Sequence, residues 1–334
     1  MNALNTATKP LIFKYQQEDY EKWVNDFSRL IETNTVATNI KYPEHFGEEY
    51  AKGKIIEPGL SYRIVDYTLN ADIEYQSYTS KHFTLSIYFY EINFNDAAYC
   101  KIGETIIESN DTFYSAAIMT NSFTEQNLKL KKGTHIKGVS VQIDAEWLQK
   151  NISDFSAEKL EMFRQKDCVT DFITAKHRKI LLDILNSKPD TALPHLFIKS
   201  RVLRLTEQFL TNLCNRNING LQEFSNPKDF QALMKVEQLL LSTYTPNFPS
   251  IESLAKAAYM SESKLKKLFK AAYGMAIYQY YQKNRMHNAK ELLCNGKYSI
   301  SEIGVMLGYK NLSNFSVAFK KEFGYLPSEF QQVL

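Results

Sequence analysis

The sequence predicts an α+β protein of two domains, a β-rich N-terminal domain with flanking helices and an all-α C-terminal domain. Its 334 residues exceed what one hydrophobic core usually organises. From about residue 54 to 144, short runs rich in Ile, Val, Tyr, Phe and Thr alternate with turn residues, which is typical of an antiparallel sandwich or small barrel. After residue 144, apolar residues recur every three or four positions, which indicates helices. We place the two domains at residues 1–225 and 226–334.

The N-terminal domain is predicted to begin with an amphipathic helix over residues 17–31, where apolar residues follow helical spacing. The clearest strands are Ser61–Leu69, Thr84–Ile92 and Thr134–Ile143. The helices that follow, within about 145–217, are Ala145–Asn151, Ala175–Ser187 and a longer one from Pro194 to about Asn215. That last helix either packs on its own domain or forms the seam of a homodimer, and the sequence leaves both interpretations open.

A linker is predicted over Asn217–Lys228, which contains Gly220, Ser225 and Pro227. Charge differs on its two sides. Residues 226–334 carry 14 Lys and Arg against 8 Asp and Glu, whereas residues 1–225 carry 26 against 29. A basic domain attached to a mildly acidic one favours a polyanionic partner.

Beyond a helix from about Asp229 to Ser242, the sequence predicts a pair of short helices. Ser250 can cap the first and Ser261 the second, with a tight turn at Tyr259-Met260 between them. The small Ala255 allows two steeply crossing helices to approach closely. The outer face of the second helix carries a polar and basic set that suits phosphate and base-edge contacts: Ser263, Lys264, Lys266, Lys267 and Lys270. For this helix alone, a solvated charged surface is the simpler explanation.

The same pattern recurs about 50 residues further on. Ser299 to Glu302 has the sequence of a capping box, Gly308-Tyr309 forms a turn, and a second helix runs from about Asn311 to Phe323. Gly324 ends that helix, and a short closing helix starts at Pro327.

One helix over Ala276–Leu293 joins the two pairs and is ended by Gly296. Its roughly 18 residues span about 27 Å. Adjacent major-groove segments on one face of a duplex lie about 34 Å apart. A rigid rod of this size can therefore present the second helix of each pair to consecutive grooves of double-stranded DNA.

Residues 229–331 resemble the DNA-binding domain of the AraC/XylS family of transcription regulators. The matching segments are LAKAAYMSESKLKKLFK, YYQKNRMHNAKELL, SISEIGVMLGYKNLSNFSVAFKKEFG and YLPSEF. The resemblance covers about a third of the chain and holds in order and spacing across both helix pairs. It implies two helix-turn-helix units, through which one chain contacts an asymmetric DNA site with the outer residues of both second helices.

The resemblance also implies the DNA-contacting residues of the second unit. These are Asn311, Ser313, Asn314, Ser316 and Lys320. Arg285, on the connecting helix, lies at a characteristic family position, and we interpret its role as structural or phosphate-contacting.

Three residues depart from the family pattern. Tyr259 stands where the turn often has glycine, which would stiffen or reshape the first unit. Gly304 replaces the usual alanine, at a cost of about 1 kcal/mol of helix propensity unless close packing requires it. Val317 falls where the family often has a basic residue, so we expect the lysine-rich first unit to supply more of the electrostatic affinity.

The N-terminal domain more loosely resembles the effector-sensing domains of the same family, a cupin-like barrel with a helical dimerisation arm. Aromatic barrel interiors can hold a flat apolar ligand, although strand preference and core filling also explain tyrosines here. The tyrosines in question are Tyr62, Tyr67, Tyr75, Tyr78, Tyr88, Tyr90, Tyr99 and Tyr114. The leading hypothesis is a regulator controlled by a small-molecule effector and dimeric through this domain, with RNA polymerase as a further candidate partner.

Two other hypotheses remain open, a metal-dependent cupin-type enzyme tethered to DNA and a constitutive DNA binder without effector. We expect no catalytic residue, cofactor or metal site, because the six histidines are scattered singly: His45, His82, His135, His177, His195 and His287. No apolar run approaches the length of a membrane span, and nothing resembles a secretory signal at the start of the sequence. We therefore expect a cytoplasmic protein.

Overall fold

A computed structural model describes residues 9–17, 20–36, 39–96, 98–109, 113–152, 161, 163–173, 175–187, 193–219, 227–241 and 248–331. The chain divides into two compact units, residues 1–218 and 219–334. The first unit is rich in β-sheet and the second is mostly helical, so the predicted α+β class is confirmed.

The N-terminal unit contains two β-sheets and four helices among the described residues. Its strands are β1 Leu11–Gln16, β2 Thr35–Val36, β3 Asn39–Lys41, β4 Gly47–Glu57, β5 Leu60–Leu69, β6 Ile73–Tyr78, β7 Thr84–Asn93, β8 Ala98–Ile102, β9 Thr105–Ser109, β10 Phe113–Asn121, β11 Gln126–Leu130, β12 His135–Asp144 and β13 Cys168–Phe172. Its helices are α1 Tyr20–Leu30, α2 Ala145–Asn151, α3 Ala175–Leu185 and α4 Pro194–Asn219.

The larger sheet has the strand order β13-β10-β7-β12-β5-β4-β3-β2, and the smaller has the order β1-β6-β11-β8-β9. Because side chains alternate across a strand, each strand of the larger sheet presents two different faces. In β7, the residues Leu85, Ile87 and Phe89 belong to a hydrophobic core that also includes side chains of α2, α3 and α4. The alternate residues Tyr88, Tyr90 and Ile92 face a cavity that side chains of the smaller sheet also line.

Several strands lie outside the region where the sequence predicted them. β1 pairs in parallel with β6, from Leu11 opposite Ile73 to Gln16 opposite Tyr78. β13 pairs antiparallel with β10 inside a stretch that was expected to be helical. The reason is that sheet pairing depends on partners distant in sequence, whereas the helices were recognised from local spacing. The helix predicted over residues 17–31 is confirmed as α1, and the one predicted from Pro194 extends to Asn219.

The C-terminal unit consists of helices among its described residues. They are α5 Pro227–Leu241, α6 Ile251–Ala257, α7 Glu262–Tyr273, α8 Ile277–Cys294, α9 Ile300–Met306, α10 Leu312–Phe323 and α11 Pro327–Gln331. Every helix predicted there is present within a few residues of its expected bounds. Residues 220–226, the greater part of the predicted linker, lie outside the described residues.

A buried carboxylate ties three helices of this unit together. Glu237 on α5 is fully buried and accepts hydrogen bonds from the hydroxyls of Tyr273 on α7, at 3.0 Å, and Tyr280 on α8. A buried carboxylate needs such donors because an unsatisfied one is expensive. The polar contact thereby fixes how α5, α7 and α8 pack around the first helix pair.

Candidate functional sites

The first helix pair, α6 and α7, is built from local capping signals. The Ser250 side chain accepts a hydrogen bond from the Ser253 amide, and that of Ser261 accepts one from Lys264. Between the helices, Tyr259 adopts a left-handed conformation with φ of 51°, and the Met260 amide donates to the Ala255 carbonyl at 3.0 Å. The predicted caps and turn are thereby confirmed.

The second helix pair, α9 and α10, repeats this geometry. Ser299 and Glu302 form the predicted capping box. Gly308 takes the left-handed position with φ of 78°, and the Tyr309 amide donates to the Gly304 carbonyl at 2.9 Å. In both pairs the second helix ends at a glycine with positive φ, Gly274 for α7 and Gly324 for α10.

Helix α9 packs closely on α10 at Gly304. A Cβ added there would lie 2.6 Å from Cδ2 of Leu312 and 3.4 Å from Cδ1 of Phe315. The backbone of α9 therefore approaches α10 more closely than an alanine would allow without movement of Leu312. In the first pair, Ala255 occupies the corresponding place and is buried.

The outer face of α7 is polar and basic. Ser263 and four lysines, namely Lys264, Lys266, Lys267 and Lys270, are all exposed. Lys264 forms an ion pair with Asp229 of α5 at 2.9 Å, and Lys266 forms one with Glu262, one turn earlier, at 3.0 Å. The Lys266–Glu262 pair is exposed on both sides and therefore weak, so Lys266 can exchange its carboxylate partner for a phosphate.

The outer face of α10 carries less charge. Ser313, Asn314 and Lys320 are exposed, and Ser316 is partly buried. Val317 is 66% exposed at the centre of that face. Asn311 caps α10, because its side-chain oxygen accepts a hydrogen bond from the Ser313 amide at 2.8 Å. The side-chain oxygen of Asn311 is therefore already bonded to the Ser313 amide, although the side chain as a whole is exposed.

Arg285 lies on α8 and not on either outer helix face. Its guanidinium donates to the Leu307 carbonyl, at the end of α9, and to the Gln282 side chain at 3.2 Å. It also lies 4.4 Å from the ring centre of Tyr309 and 5.2 Å from that of Tyr281. Arg285 therefore joins the connecting helix to the turn of the second pair. A cleft beside it, of about 320 Å³, also includes the start of α10.

A separate cavity of about 130 Å³ lies between the two sheets of the N-terminal unit. Five of the eight tyrosines singled out in the sequence line it, namely Tyr67, Tyr75, Tyr88, Tyr90 and Tyr114, whereas Tyr62, Tyr78 and Tyr99 do not. Tyr15, Tyr42, Trp23 and Arg63 also line it and were missed. Alternation in β5 could have suggested Arg63, because it lies two residues before Val65 and four before Tyr67 on the same face.

The histidines remain dispersed in the structure. His135 contacts Asp66 at 2.9 Å across β12 and β5, and His177 is buried against Phe89. Among the described residues, no three His, Cys, Asp or Glu side chains are grouped as metal ligands would be.

Comparison with known proteins gives two family matches. Residues 51–219, half of the chain, match the family described as the regulatory protein PchR N-terminal domain. Residues 254–332 match a helix-turn-helix domain family. Together with the paired helices, these matches define a DNA-binding regulator of transcription. More specifically, the chain belongs to the AraC/XylS family of transcription regulators, which confirms the resemblance seen in the sequence.

Curated relatives match between a quarter and a third of the chain. The Msm operon regulatory protein of Streptococcus mutans is 33% identical over 110 residues, 33% of this chain and 39% of that protein. The bifunctional transcriptional activator/DNA repair enzyme AdaA of Bacillus subtilis is 32% identical over 84 residues, 25% of this chain and 40% of that protein. The aligned part thus spans about two fifths of these relatives.

Solved structures with detectable similarity include ToxT of Vibrio cholerae, with 17% identity, coverage of 79% of this chain and 98% of that one, and a TM-score of 0.30. Within the described part of the chain, no helix has the length and apolarity that crossing a bilayer requires.

Proposed function

We propose that this regulator reads DNA through two helix-turn-helix units, with α7 and α10 as the recognition helices. The observation that carries the proposal is the repeated geometry of the two helix pairs, each with capped helices, a left-handed turn residue and an exposed outer face. The connecting helix α8 has 18 residues and is therefore about 27 Å long, close to the separation of adjacent major-groove segments.

The residues proposed to contact DNA differ in their roles. Lys264, Lys266, Lys267 and Lys270 supply phosphate attraction from α7, and Ser263 lies with them. On α10, Ser313, Asn314, Ser316 and Lys320 supply polar contacts, and the exposed Val317 suits an apolar contact with a thymine methyl group. Asn311 acts mainly as the cap that fixes the start of α10. Arg285 positions the second unit by holding α8 against the end of α9.

We assign residues 1–225 to effector sensing and dimerisation, and residues 226–334 to DNA binding. The N-terminal unit is proposed to be a cupin-like barrel whose cavity holds the effector, because a concave site lined by apolar and aromatic side chains is a common form of small-molecule site. An effector changes DNA occupancy or contact with RNA polymerase only to the extent that it binds one domain arrangement better than another. Sedimentation of the full chain tests the homodimer, and a strictly monomeric protein at micromolar concentration contradicts it.

The DNA-binding proposal is tested with the full chain on a duplex selected from a random pool. The double variant Lys266→Ala/Lys267→Ala is expected to bind about tenfold or more weakly, with a salt slope smaller by about 0.9 for each lost phosphate contact. Lys256→Ala is the matched control, because Lys256 is an exposed lysine on α6 that pairs with Glu252 at 2.7 Å and lies off the proposed face. An unchanged affinity and slope in the double variant would overturn the assigned surface.

A further inference from the structure

The cavity between the two sheets contains one charged side chain, Arg63, in a mostly apolar and aromatic lining that also includes Cys100 and Gln126. The apolar part of the lining includes Val65, Ile92, Ile102, Ile118, Leu128, Leu130 and Ile136. The cavity has a volume of about 130 Å³. An engineered apolar cavity of about 150 Å³ accommodates a benzene molecule. The space therefore fits a molecule with a single ring and a small substituent.

Arg63 enters this cavity from the middle of β5, where it is opposite Gly53 of β4 and Ser140 of β12. Its guanidinium lies 4.0 Å from the centre of the Trp23 ring and 3.5 Å from the Tyr90 hydroxyl. The Nε atom is buried and makes no hydrogen bond. Within the described part of the chain, no carboxylate forms an ion pair with Arg63.

The surrounding tyrosines do not neutralise this charge. Burial raises the pKa of Tyr88 to about 12 and that of Tyr67 to about 12, so both hydroxyls are protonated near neutral pH. Burial likewise raises the pKa of Tyr75 and Tyr15. Arg63 is partly buried. Holding a guanidinium away from bulk water without a counter-ion is costly, and a bound anion would offset that cost with charge-assisted hydrogen bonds.

We propose that this cavity binds a small aromatic monoanion, whose carboxylate pairs with Arg63 and whose ring lies among Tyr67, Tyr88 and Tyr90. This inference deepens the proposed effector-sensing role and rests on it. The tyrosine faces and edges can pack against a flat ring, while their hydroxyls can donate to a carboxylate. The planar guanidinium can donate hydrogen bonds to both oxygens of a carboxylate, which the single ammonium of a lysine does not match. This geometry favours an arginine at position 63.

Trp23 provides a direct readout of occupancy, because it lines the cavity and stacks on Arg63. The other tryptophan, Trp147, lies elsewhere, where its indole donates to Glu57. Titration of the full chain by tryptophan fluorescence and calorimetry, without DNA, uses benzoate and phenylacetate, with benzamide and phenylacetamide as neutral isosteres. We expect each carboxylate to bind at least tenfold more tightly than its amide.

The variant Arg63→Met should bind the amides within about threefold of the unmodified protein and should lose the preference for carboxylates. Arg63→Lys should retain part of the preference for carboxylates. Such a result would show that the cavity still forms when residue 63 is changed. Arg29→Met is the matched control, because Arg29 is an exposed arginine on α1 outside the cavity, and it should leave all affinities unchanged.

Three results overturn the proposal: no binding of either carboxylate, equal binding of carboxylates and amides, or a carboxylate preference that persists in Arg63→Met. The comparison of acid with amide in the unmodified protein does not depend on any variant folding correctly. Because these titrations contain no DNA, their failure rejects the ligand class alone. Failure of the lysine experiment above rejects the DNA-reading surface instead.

Discussion

Tyr259 occupies in the first helix pair the left-handed backbone position that Gly308 occupies in the second. Their φ angles are 51° and 78°, and in each pair the next amide bonds back to the first helix. A left-handed conformation costs a residue with a Cβ about 1–2 kcal/mol. Tyr259 is 92% exposed, and the Lys235 ammonium lies 5.8 Å from the centre of its ring, so little packing offsets this cost.

We therefore expect Tyr259→Gly to increase the free energy of unfolding by about 0.5–1 kcal/mol, since relief of strain exceeds the entropic cost of glycine. Tyr259→Ala is the control, because it removes the ring and keeps the strain, and it should give no such gain. Urea denaturation measures both. A loss of stability in Tyr259→Gly would show that the exposed ring, and not the backbone, determines stability at this turn.

A second prediction concerns Gly304, whose missing side chain lets α9 approach α10. Gly304→Ala gains about 1 kcal/mol of helix propensity, part of which is offset because the added Cβ displaces Leu312. Leu312 is 38% exposed and can move at low cost. We expect a net gain of about 0.5 kcal/mol in the free energy of unfolding.

The companion variant Gly304→Leu tests the packing explanation. Its longer side chain would also press on the buried Phe315, so a loss of about 1–3 kcal/mol is expected. If both variants were equally stable, close packing at this position would be ruled out.

A third prediction is a pH dependence of stability centred on Glu57. Its carboxylate accepts hydrogen bonds from Lys199 of α4 at 2.6 Å and from the Trp147 indole of α2 at 2.7 Å. These two hydrogen bonds lower the pKa of Glu57 below its ordinary value of 4.5. The bond from Lys199 has the larger effect. Since the folded pKa is the lower one, the stabilisation is fully present above about pH 4.5 and is lost as the pH falls through the folded value.

Glu57→Gln should therefore be less stable than the unmodified protein at pH 6, and the difference should shrink towards pH 3. We expect a difference of about 1 kcal/mol or less at pH 6, because the partly exposed pair is screened by solvent. Urea denaturation at both pH values measures it, with Glu146→Gln, an exposed carboxylate on α2, as the control for the loss of one charge. A difference that grows on acidification would contradict the assigned direction of the pKa shift.

The C-terminal helices could be predicted from the sequence because their signals are local. The caps at Ser250, Ser261 and Ser299 lie within three residues of the amides that they accept from, and the glycines at 274 and 324 end the helices that precede them. The close contact at Gly304 could not be predicted in the same way, because it depends on where Leu312 lies in space.

What the sequence by itself determined is the family, the repeated helix pairs and the basic outer face of α7, since each follows from residues close together in the chain. Only the tertiary structure decided which side chains meet in the cavity. Arg63, Trp23 and Tyr90 come from β5, α1 and β7, and they meet because long-range strand pairing turns alternate residues of two sheets towards each other. Alternation assigns a residue to one of two faces, but only the paired sheets determine which of those faces encloses the cavity.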